Sequence, residues 1–131
     1  MLAYVVFDGD GIGQLVGRAR LADDVERVRI LSRQIDDGNQ VFKTWAESHG
    51  TCAIEVGGDE GAVEIPADYL DELPAIKERY EGAVGATCSV GVGMKLSEAS
   101  RALMYAKVTG KNSAQVKAAW SRLVFSGKAT P

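Results

Sequence analysis

Apolar and polar residues follow strand-like patterns in four segments of the chain. Residues 2–7 form an unbroken apolar run, which is typical of a buried central strand. Apolar and polar positions alternate along 52–57 and again along 61–66, with glycines and acids between them, and this predicts a β-hairpin. Alternation returns along 86–92 and predicts a fourth strand.

Apolar residues at helical spacing lie between the first strand and the hairpin. They recur at intervals of three, four or seven and predict one long helix over roughly 21–48: Leu21, Val25, Val28, Leu31, Ile35, Phe42 and Trp45. Gly38 and Asn39 are the weak point of this helix, where we expect a kink or a break into two helices.

Two further helices are predicted in the second half of the chain. One covers residues 67–82, between the hairpin and the fourth strand. The other begins with Ser97 as its N-cap, continues to Lys107 and stops at Gly110. The tail adds a short helix and a strand around 123–125.

The predicted element order is β-α-β-β-α-β-α, which defines the expected fold class. This order favours an α+β fold with a ferredoxin-like βαββαβ core, in which the helices cover one face of an antiparallel sheet. The first strand is then central and lies beside the hairpin, so its end at Asp8 comes close to the hairpin tip at Asp59. Two acidic clusters that are distant in sequence are thus expected to converge.

Composition and charge limit the classes of protein to which the chain can belong. With 131 residues, 46% of them hydrophobic and 25% charged, the chain is expected to form a single domain over 1–131. The net charge of −3, without a basic cluster, argues against binding to duplex nucleic acid. The apolar start is too short for a signal peptide or a membrane span. Cys52 and Cys88 suit small buried side chains in a reducing compartment, so we expect a cytoplasmic protein without a membrane partner.

The two acidic clusters are the first candidate chemistry. One is the corner Asp8-Gly9-Asp10-Gly11-Ile12-Gly13, and the other is the tip Gly57-Gly58-Asp59-Glu60. Taken alone, the second cluster is explained by an ordinary tight turn. If the clusters converge, their carboxylates repel one another unless a cation lies among them. Oxygen ligands, with His49 as the lone histidine, predict Mg²⁺ or Mn²⁺ rather than zinc. The glycines free backbone N–H groups for phosphate oxygens.

Two lysines near the end of the last predicted helix are the second candidate. Lys107 and Lys111 are four residues apart, so on a helix both ammonium groups leave from one face. Cations at a helix C-terminus are common and need no functional explanation. Together with a divalent cation, however, two lysines match the charge of a triphosphate.

Four motifs in order resemble the GGDEF family of nucleotide cyclases over about residues 3–112. They are D-x-D after an apolar strand, GGDE at a hairpin tip, the later strand ATCSVGVG, and the helix end ALMYAKVTGKN. The chain is most similar to a small stand-alone branch, the minimal CRISPR polymerases (mCpol), which resemble the palm of CRISPR polymerases. The resemblance implies a palm-type fold and a Mg²⁺- or Mn²⁺-dependent nucleotidyltransferase.

The resemblance also implies roles for individual residues. Asp8, Asp59 and the carbonyl of Gly9 are the implied metal ligands, and Glu60 orients or deprotonates the attacking ribose hydroxyl. Asp10 supports this catalytic set or binds a second metal. The implied nucleotide-binding groups are backbone atoms of the two glycine-rich clusters and two lysines: Gly9, Gly11, Ile12, Gly13, Gly57, Gly58, Lys107 and Lys111.

Several positions depart from the diguanylate cyclase pattern. Gly61 replaces the phenylalanine of the GGDEF motif, and Gly13 replaces a lysine after D-x-D-x-F. Val16 stands where the guanine-reading asparagine is expected, and only Asp24 could replace the later aspartate. We therefore expect ATP to be favoured over GTP. The inhibitory R-x-x-D site is absent, because residues 48–51 are Ser-His-Gly-Thr.

The expected function is the conversion of ATP, or GTP, into a cyclic di- or oligonucleotide with release of pyrophosphate, in antiviral defence signalling. We expect a homodimer whose two active sites face each other across the hairpin tips, because one site holds one triphosphate. The alternatives are a silent nucleotide-binding sensor and a hydrolase similar to the type III GTP cyclohydrolases. A haloacid-dehalogenase-type phosphatase, suggested by VVFDGDGI, does not explain the GGDE hairpin.

Overall fold

The computed structural model describes residues 1–58, 60–110 and 114–116. It contains five strands, four α-helices and one 3₁₀-helix. In chain order these are β1 (Leu2–Gly9), α1 (Ile12–Leu21), α2 (Val25–Ser48), β2 (Ala53–Gly57), β3 (Glu60–Pro66), the 3₁₀-helix (Ala67–Glu72), α3 (Leu73–Val84), β4 (Cys88–Gly93), α4 (Leu96–Val108) and β5 (Ala114–Val116).

The strands form one mixed sheet with the order β2-β3-β1-β4-β5. β1 is central and pairs antiparallel with both β3 and β4, while the short β5 adds to β4 in parallel. The predicted α+β class and the βαββαβ core with a central first strand are therefore confirmed.

The main hydrophobic core lies between the sheet and the helices α2 and α3. Alternate residues of β1, such as Val5 and Phe7, are fully buried on this face. Phe7 stacks on Phe42 of α2 with ring centroids 3.9 Å apart, and Tyr80 of α3 meets both rings edge-on at 5.5 Å. This aromatic cluster fixes α2 and α3 against the strand that leads to Asp8.

Helix α4 follows the βαββαβ core and packs on the other face of the sheet. Gly91 and Gly93 of β4 make this approach possible, because a Cβ on Gly91 would overlap the backbone of Ala99 and Leu103. A Cβ on Gly93 would lie 2.7 Å from the backbone nitrogen of Ala99. The helices of the core cover one face, as predicted, and α4 covers part of the opposite face.

The prediction of one helix over 21–48 was wrong at its start. A separate helix α1 covers Ile12–Leu21, and α2 begins at Val25 with Asp24 as its N-cap, which accepts a hydrogen bond from the Arg27 nitrogen at 3.1 Å. Leu21 and Val25 are therefore not part of the apolar stripe and are 89% and 57% exposed. The chain leaves the helical conformation between Leu21 and Val25, where Asp23 has a φ of 55°, and a continuous periodicity in the sequence cannot indicate this.

Helix α2 is continuous through Gly38 and Asn39, so the expected alternative of a break into two helices was wrong. Gly38 faces α3, where a Cβ would overlap the Val84 side chain and lie 3.0 Å from the Tyr80 ring. The glycine therefore serves close packing between two helices rather than a break in one of them.

The remaining boundaries differ in detail. The predicted helix 67–82 is divided into a 3₁₀-helix and α3, which passes through Gly82 and ends at Val84 with Gly85 in the left-handed conformation. Helix α4 begins at Leu96 with Lys95 in the N-cap position, so the prediction of Ser97 as N-cap was wrong. Cys52 is exposed and only Cys88 is buried. The predicted strand around 123–125 lies outside the described residues.

Candidate active site

The end of the central strand brings two carboxylates together. Asp8 of β1 is directly opposite Glu60 of β3 on one side and Ser89 of β4 on the other. Directly opposed residues of antiparallel strands project from the same face, here the face that carries α4. The expected approach of β1 to the GGDE tip is thus present in the described residues, although Asp59 itself lies outside them.

Asp10 lies just beyond β1, where its carboxylate is surrounded by donors. Thr87 Oγ1 donates to Oδ2 at 2.7 Å and Ser89 Oγ donates to Oδ1 at 2.9 Å. Lys107 Nζ donates to Oδ1 at 2.8 Å, and the Asp10 side chain is only 8% exposed. Its backbone nitrogen donates to the Thr87 carbonyl at 2.8 Å. Asp10 is therefore a buried, hydrogen-bonded carboxylate that holds α4 and β4 at the end of β1.

Lys107 joins the two aspartates of the D-x-D motif. Its Nζ atom lies 3.2 Å from Asp8 Oδ2 as well as 2.8 Å from Asp10 Oδ1. Burial by itself lowers the pKa of Lys107, but its hydrogen bonds to Asp10 and Asp8 and their negative charges outweigh this effect and raise the pKa. The lysine is therefore charged at neutral pH, and its ammonium group lies as a cation between the two acids.

The lysine pair is described only at Lys107. Helix α4 ends at Val108, with Thr109 as its C-cap and Gly110 at a φ of 127°, so the expectation that both ammonium groups leave from one helical face stays a prediction. Lys111 itself lies outside the described residues.

The glycine-rich corner forms the N-terminus of α1. Gly11 is the N-cap with a φ of 74°, a left-handed conformation that glycine adopts at little cost, and Ile12 is the first helical residue. A Cβ on Gly9 would lie 2.6 Å from the Ile12 side chain, so this position also requires glycine. The N–H groups in the first turn of α1, at residues 11–14, therefore come three to six residues after Asp8, and together with the helix dipole they favour an anion there.

A cavity of about 480 Å³ opens beside this helix. Its walls are formed by α1, α2 and the hairpin tip, through Ile12, Gly13, Val16, Arg20, Ser32, Ile35, Asp36 and Gly58. It combines apolar side chains with a hydroxyl, a carboxylate and a guanidinium, the mixture that small-molecule sites use.

The cavity bears on two residues of the sequence analysis. Val16 lines it, but Asp24 does not. Asp24 caps α2 instead, and the carboxylate in the cavity wall belongs to Asp36. The sequence analysis did not single out Arg20, Ser32 and Asp36, and no motif in the sequence marks them.

The carboxylates at this end of the sheet are the candidate ligands of the expected Mg²⁺ or Mn²⁺ ion. Within the described residues no three His, Cys, Asp or Glu side chains come together in a metal-binding group. Asp8 and Glu60 do face each other, and Asp8 already pairs with one cation, the Lys107 ammonium. Carboxylate oxygens at this end of the sheet suit a hard divalent cation, so the described residues fit the ion, with Asp59 still to be added.

A family comparison identifies the chain. The model of the minimal CRISPR polymerase (mCpol) domain matches residues 4–117. The chain belongs to this family. The resemblance seen in the D-x-D, GGDE and lysine motifs is thereby confirmed, and membership in mCpol supports a nucleotide cyclase or polymerase type of role.

Solved structures share the palm fold of mCpol. The Csm1-Csm4 cassette in complex with AMPPNP matches with a TM-score of 0.67 and 18% identity, over 86% of this chain and 20% of that chain. The chain therefore spans about a fifth of that relative. The active GGEEF domain of a diguanylate cyclase from Vibrio cholerae matches with a TM-score of 0.59 and 14% identity, over 88% of this chain and 81% of that domain.

A third similar structure is the GGDEF domain of PA1120 from Pseudomonas aeruginosa, with a TM-score of 0.54, 21% identity and coverage of 88% and 81%. At these identities the matches establish the fold alone. No curated protein matches the chain. None of the helices in the described part of the chain has the length and apolar character needed to cross a membrane.

Proposed function

We propose that this domain catalyses Mg²⁺-dependent nucleotidyl transfer between nucleoside triphosphates and releases pyrophosphate and a cyclic di- or oligonucleotide. The observation that carries the proposal is the apposition of Asp8 and Glu60 at the end of β1, beside the N-terminus of α1 and the ammonium group of Lys107. Acids for a metal, N–H groups for phosphate and a cation for a triphosphate are thus placed at one end of the sheet.

Asp8, Asp59 and the carbonyl of Gly9 are the residues proposed to hold the metal. Palm-type nucleotide cyclases generally use divalent metal ions. When bound, such an ion neutralises the charge that develops on the transferred phosphoryl group. Mn²⁺ is the alternative ion, since the same oxygen ligands accept both.

The triphosphate is proposed to lie between the N-terminus of α1 and α4. The backbone of Gly11, Ile12 and Gly13 donates to phosphate oxygens, and Lys107 and Lys111 neutralise the outer phosphates. Lys107 leaves Asp8 when metal and nucleotide arrive, and Asp10, with Thr87 and Ser89, keeps it within reach. The tip residues Gly57 and Gly58 have no side chain and let the nucleotide approach the tip's backbone.

The cavity between α1 and α2 is proposed to hold the nucleobase, and adenine is favoured over guanine. Val16 offers no hydrogen bond to a base, whereas Ser32 and Asp36 line the same cavity and can bind an amino group and a ring nitrogen. The Csm1-Csm4 cassette has been solved with one ATP, with AMPPNP and with pppApA, and these adenine nucleotides support the same preference here.

In the proposed reaction, a ribose hydroxyl of one nucleotide attacks the α-phosphorus of another. A new P–O bond forms, the bond from the α-phosphorus to the bridging oxygen breaks, and pyrophosphate leaves in line. Glu60 takes the hydroxyl proton. The second nucleotide is presented by a second copy of the domain, so the working unit is a homodimer that faces itself across the hairpin tips.

The proposed setting is cytoplasmic signalling in antiviral defence, as expected for a minimal CRISPR polymerase. The test is incubation of the purified protein with each nucleoside triphosphate and Mg²⁺, followed by mass spectrometry of the products. We expect a cyclic adenine nucleotide and pyrophosphate from ATP, in larger amount than any product from GTP.

Asp59→Asn is the matched loss-of-function variant, and Asp68→Asn, an exposed acid of the 3₁₀-helix, is the control. The first should lose turnover and keep its fold, and the second should keep both. Binding of ATP without any product would indicate a sensor, and hydrolysis of GTP to a product that contains a single nucleotide would indicate a hydrolase similar to the type III GTP cyclohydrolases. Either result would replace the proposed function.

A further inference from the structure

Asn39 connects helix α2 to the hairpin tip. The residue is 5% exposed and lies on the buried side of α2, between Ile35 and Phe42. Its Nδ2 atom donates to the backbone carbonyl of Gly58 at 2.7 Å. A carbonyl accepts only from a donor, so this contact also fixes which end of the Asn39 amide faces the tip.

The other end of the same amide is left without a partner. Among the described residues, Asn39 Oδ1 is buried and accepts no hydrogen bond. A buried acceptor without a donor destabilises the folded state, and its neighbours along the helix stripe are apolar. A leucine of similar size would therefore suit this position better for stability alone. The amide is retained for the bond to Gly58 at the cost of its own oxygen.

The tip needs an anchor of this kind. Gly58 has a φ of 57°, and a Cβ on either Gly57 or Gly58 would meet nothing within 4 Å. The tip therefore makes few packing contacts, although it immediately precedes Asp59 and Glu60. Glu60 comes two residues after Gly58 and is paired with Asp8.

We propose that Asn39 is a positioning residue, which holds the hairpin tip at Gly58 against α2 so that Glu60 stays opposite Asp8. The inference rests on the proposed nucleotidyl transfer, because the consequence of a displaced tip is a loss of turnover. Asn39 is not among the residues that line the cavity proposed for the nucleobase, so its loss should affect kcat and the metal requirement more than nucleotide affinity.

The experiment compares Asn39→Leu and Asn39→Ala with the wild-type chain and with Gln40→Ala, a control at the neighbouring exposed position of α2. Leucine fills the site without a donor, and alanine tests the same loss without any risk of overpacking. The measurements are thermal unfolding, kcat, the KM for ATP, the Mg²⁺ concentration for half activation, and hydrogen exchange of the peptide that contains the tip.

For Asn39→Leu we expect an unfolding temperature equal to or above that of the wild type, because the orphaned oxygen is removed. The value of kcat should fall by about one to two orders of magnitude, since misplacement of reacting groups by about 1 Å costs that much. KM for ATP should stay within about twofold, and half activation should need more Mg²⁺. Exchange at the tip should become faster in both variants and unchanged in the control.

Two results would overturn the inference: a kcat equal to the wild type, or an activity that falls only in proportion to unfolding while exchange at the tip stays unchanged. The proposed function is judged separately by the wild-type chain. If the wild type forms no product, that function is wrong, and exchange at the tip then decides alone whether Asn39 anchors it.

Discussion

Lys107 balances the negative charges of Asp8 and Asp10 in the candidate site. It lies 3.2 Å from Asp8 and 2.8 Å from Asp10, so it separates two acids that would otherwise face each other without a cation. The approach of Asp8 to the hairpin tip was predicted from the sequence, because the expected topology places the end of the central first strand beside the hairpin. The pairing of Asp8 with Glu60 is seen only in the structure. The bridge formed by Lys107 could not be predicted, because it depends on α4 packing on the opposite face of the sheet.

Replacing Lys107 with methionine keeps most of the side chain and removes the charge. We expect the metal-free variant to lose about 1–3 kcal/mol of unfolding free energy, because hydrogen bonds to charged groups are lost and the acids are left uncompensated. Mg²⁺ should then raise its unfolding temperature more than that of the wild type. Lys43→Met, at an exposed position of α2, is the control and should change neither value. An equal response to Mg²⁺ in all three proteins would contradict the role of Lys107.

The pH dependence of this effect has a defined sign. The pKa of Lys107 is raised in the folded protein despite burial, through its hydrogen bonds to Asp10 and Asp8. Its contribution to stability is therefore complete below the pKa of an unfolded lysine, about 10.4, and is lost as the pH rises through the higher folded value. The stability difference between wild type and Lys107→Met should stay constant from pH 7 to about pH 10 and shrink above it. Denaturant unfolding at several pH values measures this, and a difference that shrinks near pH 8 would contradict it.

The two cysteines make a second prediction at the residue scale. Burial raises the pKa of Cys88 to about 12, while Cys52 is exposed. A thiolate is the reactive form, so at pH 8 a thiol reagent should modify Cys52 quickly and Cys88 only after unfolding. Cys52→Ser should therefore show no fast reaction in the folded state and one reactive thiol in denaturant. Fast modification of the folded Cys52→Ser variant would mean that β4 opens readily.

At the scale of elements, the periodicity of apolar residues predicted the strands of the core but missed the turn that separates α1 from α2. The apolar runs and alternations marked β1, the hairpin and β4, because such patterns are typical of strands. Helix α1 was missed because Gly13 and Gly17 weaken helix propensity, although Ile12 and Ala19 anchor the helix in the interior. Gly38 was taken for a break, but the space it leaves is filled by α3, which lies far along the chain.

Gly91 of β4 and Gly82 of α3 give two opposite predictions about stability. Gly91→Ala should strongly destabilise the protein, by about 2 kcal/mol or more, because its Cβ would overlap backbone atoms of α4, which cannot rotate away. Gly82→Ala lies inside α3, where a Cβ meets nothing within 4 Å, and should stabilise by about 0.5–1 kcal/mol. Chemical denaturation of both variants measures the difference. If Gly91→Ala were as stable as the wild type, α4 would not approach the sheet at Gly91.

At the scale of the whole molecule, the candidate site lies where both faces of the sheet contribute. α1, α2 and the tip enclose the cavity, while Lys107 arrives from α4 on the other face. The fold class and the meeting of the two acidic clusters could be predicted from the sequence, because topology alone places the end of β1 beside the hairpin. The cavity residues Arg20, Ser32 and Asp36 could not, because they belong to two helices that the sequence pattern did not separate.

The position of the candidate site at one end of the sheet leads to the last prediction, which concerns the oligomeric state of the active protein. In the proposed function one domain binds one triphosphate, and joining two nucleotides requires a second one opposite. A second copy related by a two-fold axis supplies it without further sequence, and the glycines of the tip allow the copies to approach.

Each copy is acidic before metal and substrate arrive, so we expect weak association that nucleotide strengthens. Specific activity at saturating ATP should therefore rise with enzyme concentration and level off where sedimentation first shows dimers. A mixture of inactive Asp59→Asn with wild-type protein should lower the activity per wild-type site, whereas Asp68→Asn should not. If activity per mole stays constant down to concentrations at which only monomers sediment, one domain completes the reaction alone, and the dimeric arrangement is wrong.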